Sequence, residues 1–515
     1  MPGIAVGRVT KDDSSIWVSG TIARDSTTGI RPSTLFSIQS ISKFYTALLV
    51  FLAEADGLLN LDAPLVEYLV DLHLNSRLEE EPERRITLRH LLSHTAGLTH
   101  EAPVGGNYSD CSVSFEDHLR SIRGTWLRFP VGQRYSYSNV GFDLAAEALQ
   151  VVLDADIESI FRRLLGEPLN LTRTTYDAKT SLSDSGHASG HDPKVPHPSS
   201  QLPMVGAGGV FTAAQDVVKL LQVILSDGVY DGNRVLPSGL LSRMAEIPFP
   251  VAGQRFGYGH GIVVFQRRGE MIRGHSGGGI GFSADLYWAP DLGRGAFMLS
   301  NHASTAKQQL LVFELLLPEE RTGKVAPDSV GNSAFSYESF FGEYVGRDLI
   351  VRIANQDDVE SLVLVLPAIH GLREESQTVY SLISLSSTEA MAGPHHVRFM
   401  LDAYGRPSAL MLVADGTWLD FNVATPDDDP ADELAHFYGK YAIHVSGTAV
   451  EVCEIIPGQP PLIDYPFPRA TLPLSRHSKG LWFSSTGEVL DARLDSPTYA
   501  NIPLHRLFEA SLPQP

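Results

Sequence analysis

The segment that most limits how this chain can fold is Phe36–Ala53, FSIQSISKFYTALLVFLA. After Lys43 it is almost wholly apolar, with Phe44, Leu48, Phe51 and Leu52 recurring at helical spacing. The pattern predicts an apolar helix that starts near Ser40 and ends at Gly57. Its apolar stretch, Ala47–Ala53, is far short of the ~20 residues that cross a bilayer. The helix therefore needs a protein core around it. It also carries Ser40 and Lys43 at its start, three residues apart and so on one face.

Around this helix the first 318 residues read as mixed α and β. Strands are expected at Ile4–Val9, Ser15–Ser19, Gly261–Gln266, Met271–His275, Ser283–Ala289 and Gly295–Ser300. Further helices are expected at Leu88–Ser93, Val140–Leu153, Asp216–Leu225 and Leu310–Leu317. Residues 181–203, rich in Ser, Pro, His and Gly, read as a long surface loop. Pro318–Ser333 reads as a linker. Beyond it, short alternating segments recur, such as Val359–Val365 and Ala409–Ala414, and predict antiparallel β structure. A second break lies at Thr425–Glu433. Each break is followed by a related run, Phe340-Phe341-Gly342-Glu343-Tyr344 and Phe437-Tyr438-Gly439-Lys440-Tyr441. The expected division is a catalytic domain at 1–318, a linker at 319–335, a β-barrel at 336–424, a linker at 425–433 and a second barrel at 434–515. One larger β-domain is the alternative.

Composition narrows the classes of function. A net charge of −20 over 515 residues opposes nucleic acid and anionic membranes as partners. Two cysteines, Cys111 and Cys453, exclude a disulfide framework and fit a reducing compartment. Met1–Gly7 has no basic stretch followed by an apolar one. These readings predict a soluble, cytoplasmic chain.

Three segments carry chemistry. The first is Ser40-x-x-Lys43. A serine hydroxyl attacks only when a nearby base takes its proton, and a desolvated lysine can be that base. The helix start favours developing negative charge. The second is Tyr137-Ser138-Asn139, where a phenol can move a proton and an amide can fix a carbonyl. The third is His275-Ser276-Gly277-Gly278, where missing side chains admit a substrate close to the backbone. Each motif alone is weak. Ser304-x-x-Lys307 and Tyr499-x-Asn501 match two of them by accident.

Taken in order, the three segments resemble the class C β-lactamase and penicillin-binding-protein family of serine hydrolases. Residues 88–98 (LRHLLSHTAGL), 206–211 (GAGGVF) and 258–262 (YGHGI) resemble it too. The resemblance implies a β-lactamase/transpeptidase-like α/β (α+β) domain, an antiparallel sheet flanked by helices, followed by C-terminal antiparallel, lipocalin-like β-barrels. It implies Ser40 as acylated nucleophile and Lys43 with Tyr137 as base system. Asn139 and His275 would face the substrate. The backbone of Ser40 and Gly278, beside Gly277, would form the oxyanion hole. No metal or organic cofactor is implied, and the substrate is a small ester, amide or short peptide.

Two departures matter. The third motif opens with His275 rather than a lysine, which argues against a dedicated β-lactamase and for the esterases, transacylases and D-aminopeptidases of the family. The sequence also opens on its first strand, without the helix that precedes it in relatives. A catalytic domain followed by two barrels resembles D-stereospecific aminopeptidases. In those, a loop of the last barrel reaches the active site. Ile455–Pro468, with Asp464 and Tyr465, is the candidate for that loop. Three rivals stand beside this reading. Gly274-x-Ser276-x-Gly278 fits a nucleophile elbow. His90 and His94, four residues apart on a helix, could begin a zinc site. A non-catalytic binding homologue is the third.

Overall fold

A computed structural model describes residues 2–317, apart from Arg77, 106–112, 192–201, 249–256, Ile280 and 303–305. From 336 to 506 it describes chiefly the strands. Residues 2–317 are built on a seven-stranded antiparallel sheet. In chain order its elements are β1 (Ile4–Thr10), β2 (Ser14–Ser19), α1 (Ser42–Ala55), α2 (Leu88–Leu92), α3 (Phe115–Ile122), α4 (Asn139–Leu153), α5 (Ala214–Leu225), β3 (Gly257–Tyr258), β4 (Val263–Arg267), β5 (Glu270–Gly279), β6 (Phe282–Ala289), β7 (Arg294–Ser300) and α6 (Ala306–Leu316). The strand order is β2-β1-β7-β6-β5-β4-β3. Short helices and small sheets fill the connections.

Every residue of β6 is buried, which requires cover on both faces of the sheet. Helices α5 and α6 pack on β1, β6 and β7. On the other side Phe44 of α1 meets Trp288 of β6 at 5.6 Å between ring centres. α1 is buried from Ser42 to Ala53, because the sheet lies on one side and α4 and the turn Val205–Gly208 on the other. Its polar residues are therefore spent on backbone. Val210 N–H donates to Ser42 Oγ at 2.9 Å, and Thr46 Oγ1 donates to the Gly206 carbonyl at 2.7 Å. Gly206 is needed there, since a Cβ would sit 2.5 Å from the Phe142 carbonyl oxygen.

The expected helices and strands of this region are present, most with ends moved by a residue or two. The 181–203 loop is an exception at its start, because Ser181–Ser183 close the short helix Ala178–Ser183. The helix expected from Ser40 is preceded by a 3₁₀ turn, Gln39–Ile41, which carries Ser40.

The C-terminal strands close into two antiparallel barrels of eight strands each, every strand pairing with the next. The first closes where Tyr344 pairs with Val423, the second where Tyr441 pairs with Arg506. Phe340 stacks on Phe399 at 4.3 Å, and Tyr344 donates to the Phe340 carbonyl at 2.9 Å. The repeated aromatic run thus helps fill the first barrel. Both expected linkers lie outside the described residues.

Candidate active site

Ser40 sits in the 3₁₀ turn that leads into α1, half-exposed between buried neighbours. Gln39 just before it has φ 50°, a left-handed backbone that a residue with a side chain adopts at a cost. Its amide donates to Ser37 Oγ at 2.8 Å. The glycines of β5 make room for this turn. A Cβ on Gly277 would lie 2.1 Å from the Ile38 carbonyl oxygen and 3.1 Å from Ser40 N. One on Gly279 would overlap the Gln39 amide. Gly278 between them is exposed, and a Cβ there would meet nothing within 4 Å. The strand therefore lies directly against the backbone of the Ser40 turn, with open space at Gly278.

Lys43 Nζ lies 3.2 Å from Ser40 Oγ and donates to the Ala207 carbonyl at 2.9 Å. The side chain is fully buried. Loss of hydration lowers its pKa to about 7, against the opposing pull of Asp143 and Glu101. At neutral pH a large fraction is therefore the free amine, able to take the Ser40 proton. Tyr137 covers it, with Nζ 4.9 Å from the ring centre. The Tyr137 ring packs on His94 at 4.2 Å.

Asn139 opens α4 and is buried. Its Nδ2 donates to Glu101 Oε1 at 2.9 Å, and its Oδ1 has no hydrogen-bond partner among the described residues. His275 is also buried. Its Nδ1 faces the Ser276 carbonyl, which can only accept, so Nδ1 carries the hydrogen. Nε2 then accepts from the Tyr258 hydroxyl at 2.8 Å. Burial, and next the neighbouring Lys43, push its pKa down to about 3. His275 is thus a neutral ring with both nitrogens engaged. It lines the site without offering a cation.

The structure brings Ser40, Lys43, Tyr137, Asn139, His275, Gly277 and Gly278 into one region. Asp464 and Tyr465 are not on a loop. They belong to the strand Leu462–Pro466, where Asp464 pairs with Glu451 and Thr471, and Tyr465 with Ala470. The apolar Leu462 and Ile463 with Tyr465 overrode the flanking prolines, which a strand tolerates at its ends. Residues 454–461 of the proposed loop lie outside the described residues.

The rivals fare differently. Ser276 sits within β5 opposite Asp285, in a strand that continues to Gly279. A nucleophile elbow needs a strand-to-helix turn there, so that reading is excluded. His90 Nδ1 accepts from Thr87 N–H in the capping box of α2. His94 Nδ1 accepts from Ser138 N–H at 3.1 Å, under the Tyr137 ring. Among the described residues no group of three or more His, Cys, Asp or Glu could hold a metal ion. Ser304 lies outside the described residues.

Sequence reasoning missed Glu101, His118 and Asp143. Asp143 follows Asn139 by one helical turn, a spacing that could have marked it. Glu101 and His118 carry no local signal.

A model of the beta-lactamase family matches residues 1–316. The chain belongs to the beta-lactamase family. Penicillin-binding protein 4 of Amycolatopsis lactamdurans is 27% identical over 318 residues, 58% of this chain and 81% of that protein. The unguisins hydrolase ungD' of Aspergillus campestris is 26% identical over 362 residues, 64% of this chain and 63% of that protein. The octameric penicillin-binding protein homologue from Pyrococcus abyssi covers 82% of this chain and 96% of its own, at 20% identity and TM-score 0.54. SurE with D-Leu covers 82% and 95%, at 21% identity and TM-score 0.54. These two structures share the fold, with the barrel region partly included in the match. No helix among the described residues is long and apolar enough to cross a membrane.

Proposed function

We propose that this chain is a serine hydrolase or acyltransferase that forms an acyl-enzyme on Ser40. The observation that carries the reading is the fully buried Lys43 amine 3.2 Å from Ser40 Oγ, its pKa lowered by loss of hydration. The Ser40 proton passes to Lys43, and Tyr137, over the amine, helps hand it to the leaving group. The backbone N–H groups of Ser40 and Gly278 receive the oxyanion. Water or a second nucleophile then releases the acyl group. The substrate is a small ester, amide or short peptide, and nucleic acid and membrane play no part. The paucity of cysteine supports a cytoplasmic setting. The up-and-down order of eight strands supports a lipocalin likeness for each barrel.

A D-aminopeptidase is the second reading. The Glu101 carboxylate beside Asn139, with no fixed cation on His275, favours a substrate ammonium over a carboxylate. The names of two relatives agree with peptide chemistry: AmpH of Escherichia coli is a D-alanyl-D-alanine-carboxypeptidase/endopeptidase, and SurE was solved with D-Leu.

The test is intact mass after a fluorophosphonate probe, on wild type, Ser40→Ala and Ser276→Ala. The expected adduct is present in wild type and Ser276→Ala and absent in Ser40→Ala. A wild type without adduct favours the non-catalytic homologue.

A further inference from the structure

Asp143, on α4, is fully buried and both of its oxygens are engaged. Oδ1 accepts from Ala207 N–H at 3.0 Å, and Oδ2 lies 3.1 Å from Nε2 of His118 on α3. His118 is buried as well, and its Nδ1 lies 2.7 Å from the Val104 carbonyl oxygen. That carbonyl only accepts, so Nδ1 carries a hydrogen. A neutral imidazole would then aim the Nε2 lone pair at an ionised carboxylate. One proton must therefore lie between Nε2 and Oδ2, and the pair as a whole is neutral whichever atom holds it.

The same Ala207 whose N–H binds Asp143 offers its carbonyl to Lys43 Nζ at 2.9 Å. A continuous line thus runs from His118 through Asp143, Ala207 and Lys43 to Ser40. Lys43 also faces the Tyr137 and Phe142 rings, His94, His275 and Glu101. Both histidines are held neutral by burial. His118 faces Asp143, Glu101 and the Phe115 ring. Asp143 is the carboxylate joined to Lys43 through a single residue, Ala207, and His118 is its charged partner.

We propose that His118 is a positioning residue for the acylation step, holding Asp143 against Ala207 and cancelling its charge beside the Lys43 amine. Without that proton the carboxylate would be bare in a dry site, one residue from the amine, and would hold Lys43 protonated. The arrangement rests on the acyl-enzyme reading for its purpose. Its effect on Lys43 is measurable without any turnover.

The experiment follows the Lys43 protonation midpoint by NMR of 13C-lysine-labelled protein, with the signal assigned by its loss in Lys43→Arg. Wild type, His118→Gln and His118→Gln/Asp143→Asn are compared. In His118→Gln the introduced amide still donates to Asp143 but carries no charge. The expected midpoint rises in His118→Gln by about one pH unit, tenfold in proton affinity. It returns in the double variant, where both charges are gone. The acid limb of Ser40 phosphonylation moves in parallel. An unmoved midpoint, or a loss of labelling by the same factor at every pH, reduces His118 to a structural role and overturns the proposal. Should His118→Gln not fold, wild type decides alone: a Lys43 midpoint above about 9, close to an ordinary lysine, means Asp143 is not compensated. Absence of any fluorophosphonate adduct on wild type would instead sink the acyl-enzyme reading and leave the NMR comparison standing.

Discussion

The Tyr258 hydroxyl donates to His275 Nε2 at 2.8 Å, and the opposite nitrogen of the ring is bound to the Ser276 carbonyl. The position where the family's β-lactamases carry a cation is thus held by a neutral ring with no spare donor. A β-lactam carboxylate would lose a charge-assisted contact of about 1.5–3 kcal/mol, or tenfold to a hundredfold. We expect kcat/KM for nitrocefin to lie below the value for p-nitrophenyl acetate. Equal or faster nitrocefin hydrolysis would show that another group holds the carboxylate.

On the acyl-enzyme reading proposed above, Lys43 sets the acid side of the pH profile. Its amine would have to be free to act as base, and burial lowers its pKa to about 7. Ser40 phosphonylation should therefore fall about tenfold per pH unit below that value and level off above it. A rate that stays flat from pH 5 to 8 would remove Lys43 from the base role.

The same burial has a cost in stability. An unfolded lysine stays protonated up to its ordinary pKa of about 10.4, whereas the folded one releases its proton near 7. Between those values the unfolded chain binds more protons, so the contribution of Lys43 to stability rises with pH. Lys43→Met should abolish labelling and yet stabilise the protein, relative to wild type, by more at pH 6 than at pH 9. The difference should be on the order of a few kcal/mol. Denaturant melts of both proteins at the two pH values would read it, and a pH-independent gap would contradict a depressed Lys43.

Two neighbouring glycines should respond in opposite ways. A methyl group on Gly277 would enter the Ile38 carbonyl oxygen at 2.1 Å, and backbone cannot move aside cheaply. Gly277→Ala should cost about 1–3 kcal/mol and slow labelling of Ser40. Gly278→Ala meets nothing within 4 Å and should stay within about 0.5 kcal/mol of wild-type stability. Similar melting temperatures for both would mean that β5 does not press on the Ser40 turn as described.

Much of this was legible in the sequence, and the parts that were not share a physical reason. Ser40, Lys43, Tyr137, Asn139 and His275 sit in short motifs, and helix α1 announces itself by its apolar run. Local spacing cannot reveal partners brought together from afar. His118 and Asp143 meet across 25 residues, and Lys43 and Ala207 across 164. The His275 Nε2 is occupied by Tyr258, a residue noted within YGHGI without a role. Asp464 and Tyr465 went wrong because prolines at both ends of a strand resemble the prolines of a loop. Several barrel strands, such as Ser376–Ser386, escaped notice because Ser and Thr interrupt their apolar alternation.

Glu101 separates the two functional readings. Its carboxylate accepts from Asn139 Nδ2 at 2.9 Å and raises the proton affinity of Lys43. Glu101→Gln keeps an oxygen for Asn139 and removes the charge. The loss lowers the Lys43 pKa, so the acid limb for an ester should shift to lower pH in the variant. If a substrate ammonium sits near Asn139, the variant also loses its attraction for D-aminoacyl substrates. We then expect kcat/KM for D-alanine p-nitroanilide to drop about tenfold against that for p-nitrophenyl acetate, a difference of ~1.4 kcal/mol. An unchanged ratio, with the acid limb still displaced, would leave Glu101 tuning Lys43 alone and favour the esterase or acyltransferase reading over the aminopeptidase.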